Sequence, residues 1–93
     1  MTIGVLHLEF LIPGARSLKD KRRALRSFKD QARNRYNCSV AEIGAKDKWG
    51  RAQFAVCVVS DDSGHVSSQL NEIAQFSMNR ANMELVHYEI ETF

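Results

Sequence analysis

"IGVLHLEFLIPGARSLKDKRRALRSF", residues 3–28, decides the fold, because the spacing of its apolar residues changes halfway along. Residues 3–12 alternate, with one parity apolar throughout and the other mixed, which predicts a β-strand with one fully apolar face. Pro13 and Gly14 then end the strand. The apolar parity consists of Leu6, Leu8, Phe10 and Ile12.

A helix is predicted directly after this turn. Ser17 followed by Asp20 resembles a capping box with Asp in the place of Glu, so we expect the helix to begin at Leu18. Its apolar residues then recur at helical spacing, which predicts a buried stripe along one face. They are Leu18, Leu25, Phe28, Ala32 and Tyr36.

Two strands joined by a tight turn follow this helix. "NCSVAEIG" (37–44) and "RAQFAVCVVS" (51–60) are apolar and alternating, and "AKDKWG" (45–50) between them has the turn residues of a hairpin. A second helix is predicted next, with Asp61, Asp62 or Ser63 as its N-cap. Its inner face is predicted from Val66, Leu70, Ile73, Ala74, Ser77 and Ala81.

The last predicted element is the strand "MELVHYEIE" (83–91), in which Val86, Tyr88 and Ile90 alternate with His87, Glu89 and Glu91. The order is therefore β-α-β-β-α-β. With right-handed crossovers it predicts an α+β ferredoxin-like sandwich, a four-stranded antiparallel sheet in the order 4-1-3-2 with both helices on one face.

Composition predicts one globular domain, residues 1–93, located in the cytoplasm and not in a membrane. The hydrophobic fraction is 44% and the charged fraction 26%, and no apolar run approaches the roughly 18 residues of a membrane span. The first residues lack the pattern of a signal peptide. Cys38 and Cys57 lie in apolar alternating segments without C-x-x-C spacing, which indicates reduced core thiols.

The chain resembles the YlxP-like proteins, a small bacterial family of unknown function. The resemblance lies in "SLKDKRRALRSFKDQARNRYNCSVAEIG" (17–44), the tryptophan of "DKWGRA", "VVS" before the second helix and "YEIE" near the end. It implies a ferredoxin-like fold, in agreement with the pattern above. Genes of the family often lie among those for translation initiation and ribosome maturation, which implies a link to RNA or ribosomes. The family offers no active site to carry over.

Charge is concentrated in one part of the chain. Residues 16–36 hold nine basic residues and two acids, a net +7, whereas the rest holds four basic residues and nine acids, a net −5. Helical spacing places most of these cations in a band of about 120°, and the topology brings the hairpin turn to the same end of the domain. Asp30 lies in this band, where it can pair with Arg26 or Arg33. The predicted nucleic-acid-binding residues are Arg16, Lys19, Arg22, Arg23, Arg26, Lys29, Arg33, Lys46, Lys48, Trp49 and Arg51. Arg80 is expected at the same end.

Three interpretations of this charge stay open. The first is an RNA- or ribosome-associated binding module. For Trp49, stacking on a base, packing under an arginine and covering the end of the core all stay open. The second is the solvated or partner-facing side of an ordinary helix, in an oligomeric ferredoxin-like domain for protein interaction or ligand sensing. The third is a site for a small anion. A homodimer is predicted in addition, through exposed edge strands or through apolar residues on the second sheet face: Val5, Leu11, Ala55, Cys57 and Val59.

No enzymatic function, cofactor or metal is predicted. The chain has no P-loop, dinucleotide fingerprint or nucleophile elbow, and the third strand lacks the aromatic pattern of an RNA-recognition motif. One weak alternative is a divalent metal site formed on the open sheet face by His7, Glu9, His87 and Glu89. Such a cluster is more often a set of cross-strand pairs.

Overall fold

The computed structural model describes all 93 residues and contains the six predicted elements in the predicted order. No helix combines the length and the apolar character that crossing a membrane requires. The elements are β1 (Thr2–Leu11), α1 (Leu18–Arg35), β2 (Ser39–Gly44), β3 (Arg51–Ser60), α2 (Ser63–Met78) and β4 (Glu84–Thr92).

The sheet is antiparallel with the strand order β2-β3-β1-β4, which confirms the ferredoxin-like prediction. β1 and β3 lie in the middle, and β2 and β4 form the edges. The pairing of β1 with β4 contains a bulge, so that Phe10 lies opposite Leu85 while Glu9 lies opposite His87. The extra residue, Val86, therefore interrupts the strict alternation predicted for the last strand.

The core lies between the sheet and the two helices. The apolar parity of β1 is buried, as are the predicted stripe of α1 apart from the half-buried Leu18 and most of the predicted inner face of α2. Three phenylalanines meet at its centre, with ring centroids 5.2 to 6.0 Å apart: Phe10, Phe28 and Phe54. Ala81 is an exception, because α2 ends at Met78 and Ala81 is exposed beyond it.

Local sequence sets where the helices begin. The Ser17 hydroxyl accepts a hydrogen bond from the Asp20 amide, so α1 begins at Leu18 as predicted. The Asp20 carboxylate accepts from the Arg16 amide, one residue before the position that a capping box would use. Asp62 caps α2 by accepting from the amides of the two residues that follow Ser63.

One glycine lets α2 approach the sheet closely. A Cβ at Gly4 of β1 would lie 2.5 Å from side-chain atoms of both Leu70 and Val66. Any larger residue at this position would force the side chains of Leu70 and Val66 to shift. The first strand therefore contributes apolar side chains to the core, and the absence of a side chain at Gly4 leaves room for Leu70 and Val66.

Candidate nucleic-acid interface

The outer face of α1 is lined by solvent-exposed cations. Along three turns of the helix, the buried row consists of Lys21, Leu25, Phe28 and Ala32. The cations form a band beside this row, with Arg16 just before the helix, and all but the half-buried Lys29 are exposed: Arg16, Lys19, Arg22, Arg23, Arg26, Lys29 and Arg33. A helix of this length spreads them over roughly 20 Å, since each residue rises about 1.5 Å.

These cations are almost free of carboxylate partners. Of the four ion pairs in the protein, the one that involves α1 uses the buried Lys21 and none of the outward-facing residues. Asp30 lies among the cations, yet it pairs with neither Arg26 nor Arg33, although their spacing allows it. The acids elsewhere in the chain therefore do not neutralise this face, and its positive field reaches the solvent.

Lys21 fixes the β2–β3 hairpin to the same helix. Its side chain is only 2% exposed, and its ammonium donates hydrogen bonds to the backbone carbonyls of Ala45 (2.5 Å) and Lys48 (2.7 Å). The ammonium also lies 3.0 Å from Oε2 of Glu42, an electrostatic contact without the angle of a hydrogen bond.

The turn that Lys21 holds has an unusual backbone conformation. Ala45 has a φ of 57°, the one non-glycine residue in the left-handed region, a conformation that costs a residue with a Cβ about 1–2 kcal/mol. On the other side of the turn, the Ile12 amide donates to the Gly50 carbonyl at 2.8 Å and joins the hairpin to the end of β1. The hairpin tip is thus held beside the start of α1 from two directions.

This arrangement brings the aromatic residue of the predicted site close to the cations. Lys46, Lys48 and Trp49 lie on the turn that Lys21 holds and are exposed. Trp49 is 55% accessible. A large aromatic side chain that is more than half accessible contributes little to the core. We name the basic surface as the following set: Arg16, Lys19, Arg22, Arg23, Arg26, Lys29, Lys46, Lys48 and Trp49.

Three other arginines are engaged elsewhere. Arg51 lies opposite Leu11 on the open sheet face, where its guanidinium donates to Glu9 at 2.9 Å, so it does not belong to the basic surface. Arg33 donates to the Val40 carbonyl on the free side of β2 at 2.9 Å and is partly anchored. The structure therefore separates Arg51 from the group in which the sequence placed it.

Arg80 is the third of these arginines. Its guanidinium lies 5.0 Å from the Phe76 ring and donates to Gln31 at 2.6 Å, while its Nε is buried without a partner. Burial lowers the pKa of this guanidinium. Arg80 also lines one wall of a groove of about 780 Å³ between the start of α1 and the α2–β4 connection, with Arg23 on the other wall. It is thus at the predicted end of the domain but acts mainly in packing.

The open sheet face carries cross-strand pairs. His7 lies 2.7 Å from Glu91, His87 lies 3.1 Å from Glu89, and Glu9 accepts from Arg51 and Gln53. No group of three or more His, Cys, Asp or Glu side chains is arranged to hold a metal ion. The residues of the weak metal alternative, His7, Glu9, His87 and Glu89, therefore share a face but are distributed among separate pairs.

Both cysteines are free thiols and half-buried. The thiol of Cys38 lies 3.8 Å from the Ala32 carbonyl at the end of α1. Burial raises the pKa of Cys38, and the positive charge of Arg33 opposes part of that rise. A thiol in this state is a poor nucleophile, which agrees with its prediction as a core residue.

A family model described as "Protein of unknown function (DUF503)" matches residues 3–90. The chain belongs to this family. A relative from Bacillus subtilis (strain 168), "Uncharacterized protein YlxP", is 34% identical to it over 74 residues, which cover 80% of each chain. The resemblance to the YlxP-like proteins is thereby confirmed.

One solved structure similar to this DUF503 protein is a designed one. The de novo designed protein Ferredog-Diesel covers 98% of this chain, and the match covers 84% of the designed chain, with a TM-score of 0.49 and 17% sequence identity.

Proposed function

We propose that this DUF503 protein is a non-enzymatic module that binds RNA, ribosomal RNA included, through the basic surface. The observation that supports it is the group of cations on α1 that have no carboxylate partner and lie beside an exposed indole. Such cations bind phosphates favourably, because neutralising the phosphates releases the counterions condensed on the nucleic acid. The proposal needs no catalytic group.

Trp49 favours RNA over other polyanions. Aromatic rings stack on unpaired bases, and this contact is available in single-stranded segments and loops, which are the usual targets of RNA-binding proteins. A merely acidic protein partner would use the cations but would gain little from an exposed indole on the turn. Because Lys21 fixes the backbone of the turn to α1, the indole and the cations are presented on one surface.

The sheet face does not take part in the proposed mode. RNA-recognition motifs stack bases on aromatic residues of their central strands. In this protein the open face carries Glu9 and Glu91 with their partners, and β3 contributes Ala55 and Cys57 there. Carboxylates on that face repel phosphate, so RNA is expected on the helix and hairpin side.

The alternative function is an oligomeric ferredoxin-like domain for protein interaction or ligand sensing. One observation favours self-association: β4 is an edge strand with an uncovered outer side. Self-association through β4 and RNA binding through α1 use opposite edges of the sheet. The two properties are therefore compatible and can be tested separately.

Salt dependence of the affinity for a labelled single-stranded RNA tests the proposal. About five phosphate contacts give a slope of log K against log salt of roughly −3.5, since each contributes about −0.7 on single strands. Replacing Arg22→Gln together with Arg26→Gln should weaken binding and make the slope shallower by about 1.4. Both positions lie off the buried row of α1, so the fold should be unaffected.

The matched control places the same loss of net charge on α2. Asn71→Asp with Gln75→Glu also lowers the net charge by two, at exposed positions away from the basic surface. RNA binding and its salt slope should stay close to those of the unmodified protein. An equal loss with both pairs would mean that only net charge matters. A protein that binds neither RNA nor ribosomes would refute the proposal.

A further inference from the structure

The outer side of β4 is the longest uncovered edge of the sheet. β4 pairs with β1 only, extends over nine residues and is exposed along nearly its whole length. Three of its apolar side chains are among the exposed large ones: Val86 (44%), Tyr88 (40%) and Ile90 (38%). Proteins usually cover, shorten or charge such an edge, since its free backbone groups are a template for another strand. The opposite edge, β2, has six residues and is partly covered by Arg33.

The hydrogen-bond pattern identifies which backbone groups of β4 are free. Ile3 and Phe93 exchange both N–H···O=C bonds, at 3.1 and 2.8 Å, so they form a hydrogen-bonded pair. Bonded and non-bonded pairs alternate along an antiparallel ladder. In the register of β1 with β4, Tyr88 and Ile90 therefore fall in non-bonded pairs. Their N–H and C=O groups point away from β1, toward the free edge.

We propose that a second copy of this chain pairs with β4 in antiparallel orientation, with the twofold axis at Tyr88. Tyr88 then faces the partner's Tyr88, and the two residues exchange their outward backbone hydrogen bonds. His87 lies opposite the partner's Glu89, and by symmetry the same pair forms a second time. Val86 lies opposite the partner's Ile90, so the exposed apolar residues of both copies meet.

Charge complementarity selects this register among those that the backbone allows. A slide of two residues in one direction places Glu89 opposite its own copy, and like charges directly opposite are destabilising. A slide of two residues in the other direction places His87 opposite its own copy and loses both imidazole–carboxylate pairs. A slide of one residue misaligns the outward N–H and C=O groups. The register centred on Tyr88 is free of these defects.

The proposed dimer has an eight-stranded continuous sheet with the two β4 strands in its middle. A twofold axis perpendicular to the sheet keeps all four helices on one side and places the two α1 helices at its far ends. If the proposed RNA binding is correct, both basic surfaces then lie on one face, which permits bivalent binding. The pairing itself does not depend on RNA, and the experiments below contain none.

A charge swap measured by sedimentation equilibrium tests the register. The unmodified chain should dimerise at micromolar concentrations. Glu89→Lys and His87→Glu, each alone, should weaken the dimer about tenfold, because each turns two attractive pairs into unfavourable ones. The double variant His87→Glu with Glu89→Lys restores opposite charges in this register and should return the affinity to within a few-fold of the original. A monomer at high micromolar concentration, or a double variant no better than the singles, would overturn the proposal.

Disulfide formation tests the position of the axis independently. In a background of Cys38→Ala and Cys57→Ala, Tyr88→Cys should be joined by oxidation into a covalent dimer. Opposed Cα atoms of a hydrogen-bonded pair lie about 5.5 Å apart, which a disulfide can span. His87→Cys is the matched control, since its own copy is displaced by two residues and out of reach. Equal cross-linking of both variants, or none with Tyr88→Cys, would contradict the register.

A third variant distinguishes the β4 edge from the open sheet face. Val59 is 59% exposed on the open face of β3, which β1 separates from β4. Val59→Glu should leave the dimer unchanged if β4 is the interface. Loss of the dimer with Val59→Glu, while the β4 variants remain dimeric, would assign the contact to the open face and refute the proposal.

Discussion

α1 and α2 pack on the same face of the same sheet and bury similar rows of side chains, yet their outer sides differ. The exposed positions of α2 are mainly serine, asparagine and glutamine, with no acid in its first turn and no basic residue in its last. The outer side of α1 is arginine and lysine. This comparison bears on whether α1 is only a solvated helix face. In the same protein, neutral polar residues are sufficient to solvate α2, so the cations of α1 exceed what solubility requires.

The inner sides of the two helices differ as well. The buried polar residue of α2 is Ser77, whose hydroxyl donates to the Ile73 carbonyl within the helix. The buried polar residue of α1 is Lys21, which reaches across to another element. One helix thus satisfies its polar group locally, whereas the other uses it to hold the hairpin. Substitutions on α1 can therefore test positioning and binding separately.

The largest effect is expected from Lys21→Ala. It leaves Glu42 and the carbonyls of Ala45 and Lys48 without their cation in a nearly dry site, and breaking a buried pair on one side costs about 3–5 kcal/mol. Glu42 is partly exposed, which favours the lower end of this range. Urea unfolding measures the loss. Ser77→Ala on α2 is the matched comparison and should cost about 1 kcal/mol.

A double variant separates the charge from the packing in this test. Lys21→Met with Glu42→Leu removes both charges and keeps most of the volume, so it should be more stable than Lys21→Met alone. If Lys21→Met alone were as stable as the unmodified protein, the ammonium would not be what holds the hairpin. The inner sides of α1 and α2 would then not differ in the way described above.

Most of the fold could be predicted from the sequence because its signals are local. Alternation in β1 and the stripe from Leu25 to Ala32 each report the period of one element, and Ser17 fixes the start of α1 without reference to the rest of the chain. The bulge at Val86 could not be predicted in this way. It depends on how two strands distant in sequence are paired.

The candidate site was predictable only in part, because some of its contacts join segments that are distant in sequence. Exposure of Arg22 and Arg26 follows from helical phase alone. Alternation within β3 is sufficient to place Arg51 on the open sheet face with Ala55, but its contact with Glu9 depends on how β3 pairs with β1. The role of Lys21 depends on acceptors more than twenty residues away. A lysine within three to four residues of a buried leucine was the available signal, and it indicates a buried position but not its partners.

Trp49→Ala is expected to have the second-largest effect, and on RNA binding only. Loss of a stacked base reduces the affinity by about 1–3 kcal/mol. The salt slope should hardly change, because the indole neutralises no phosphate. Stability should change by less than about 0.5 kcal/mol, since the side chain is more than half exposed. Titration of a labelled RNA at several salt concentrations measures both quantities.

The matched control for this prediction is Trp49→Phe, which keeps an aromatic face and should retain part of the affinity. If alanine and phenylalanine are equally harmless, the indole is not a stacking platform. The cations of α1 would then act alone, and the difference between α1 and α2 would be one of charge only.

The smallest effect is expected from Asp30→Asn. Asp30 is the one acid on the outer side of α1, it is exposed, and it makes no ion pair with Arg26 or Arg33. Its removal should change the free energy of unfolding by less than about 0.5 kcal/mol. Affinity for RNA should rise, by up to about threefold, because one exposed charge near a phosphate contributes less than about 1 kcal/mol. The gain should fade with added salt, since the screening length shortens.

On α2, Glu72→Gln makes the same change of charge at an exposed position and should leave RNA affinity unaltered. A gain of equal size from both variants would show a uniform field in place of a directed one. Weaker RNA binding by Asp30→Asn would mean that this carboxylate positions a neighbouring arginine.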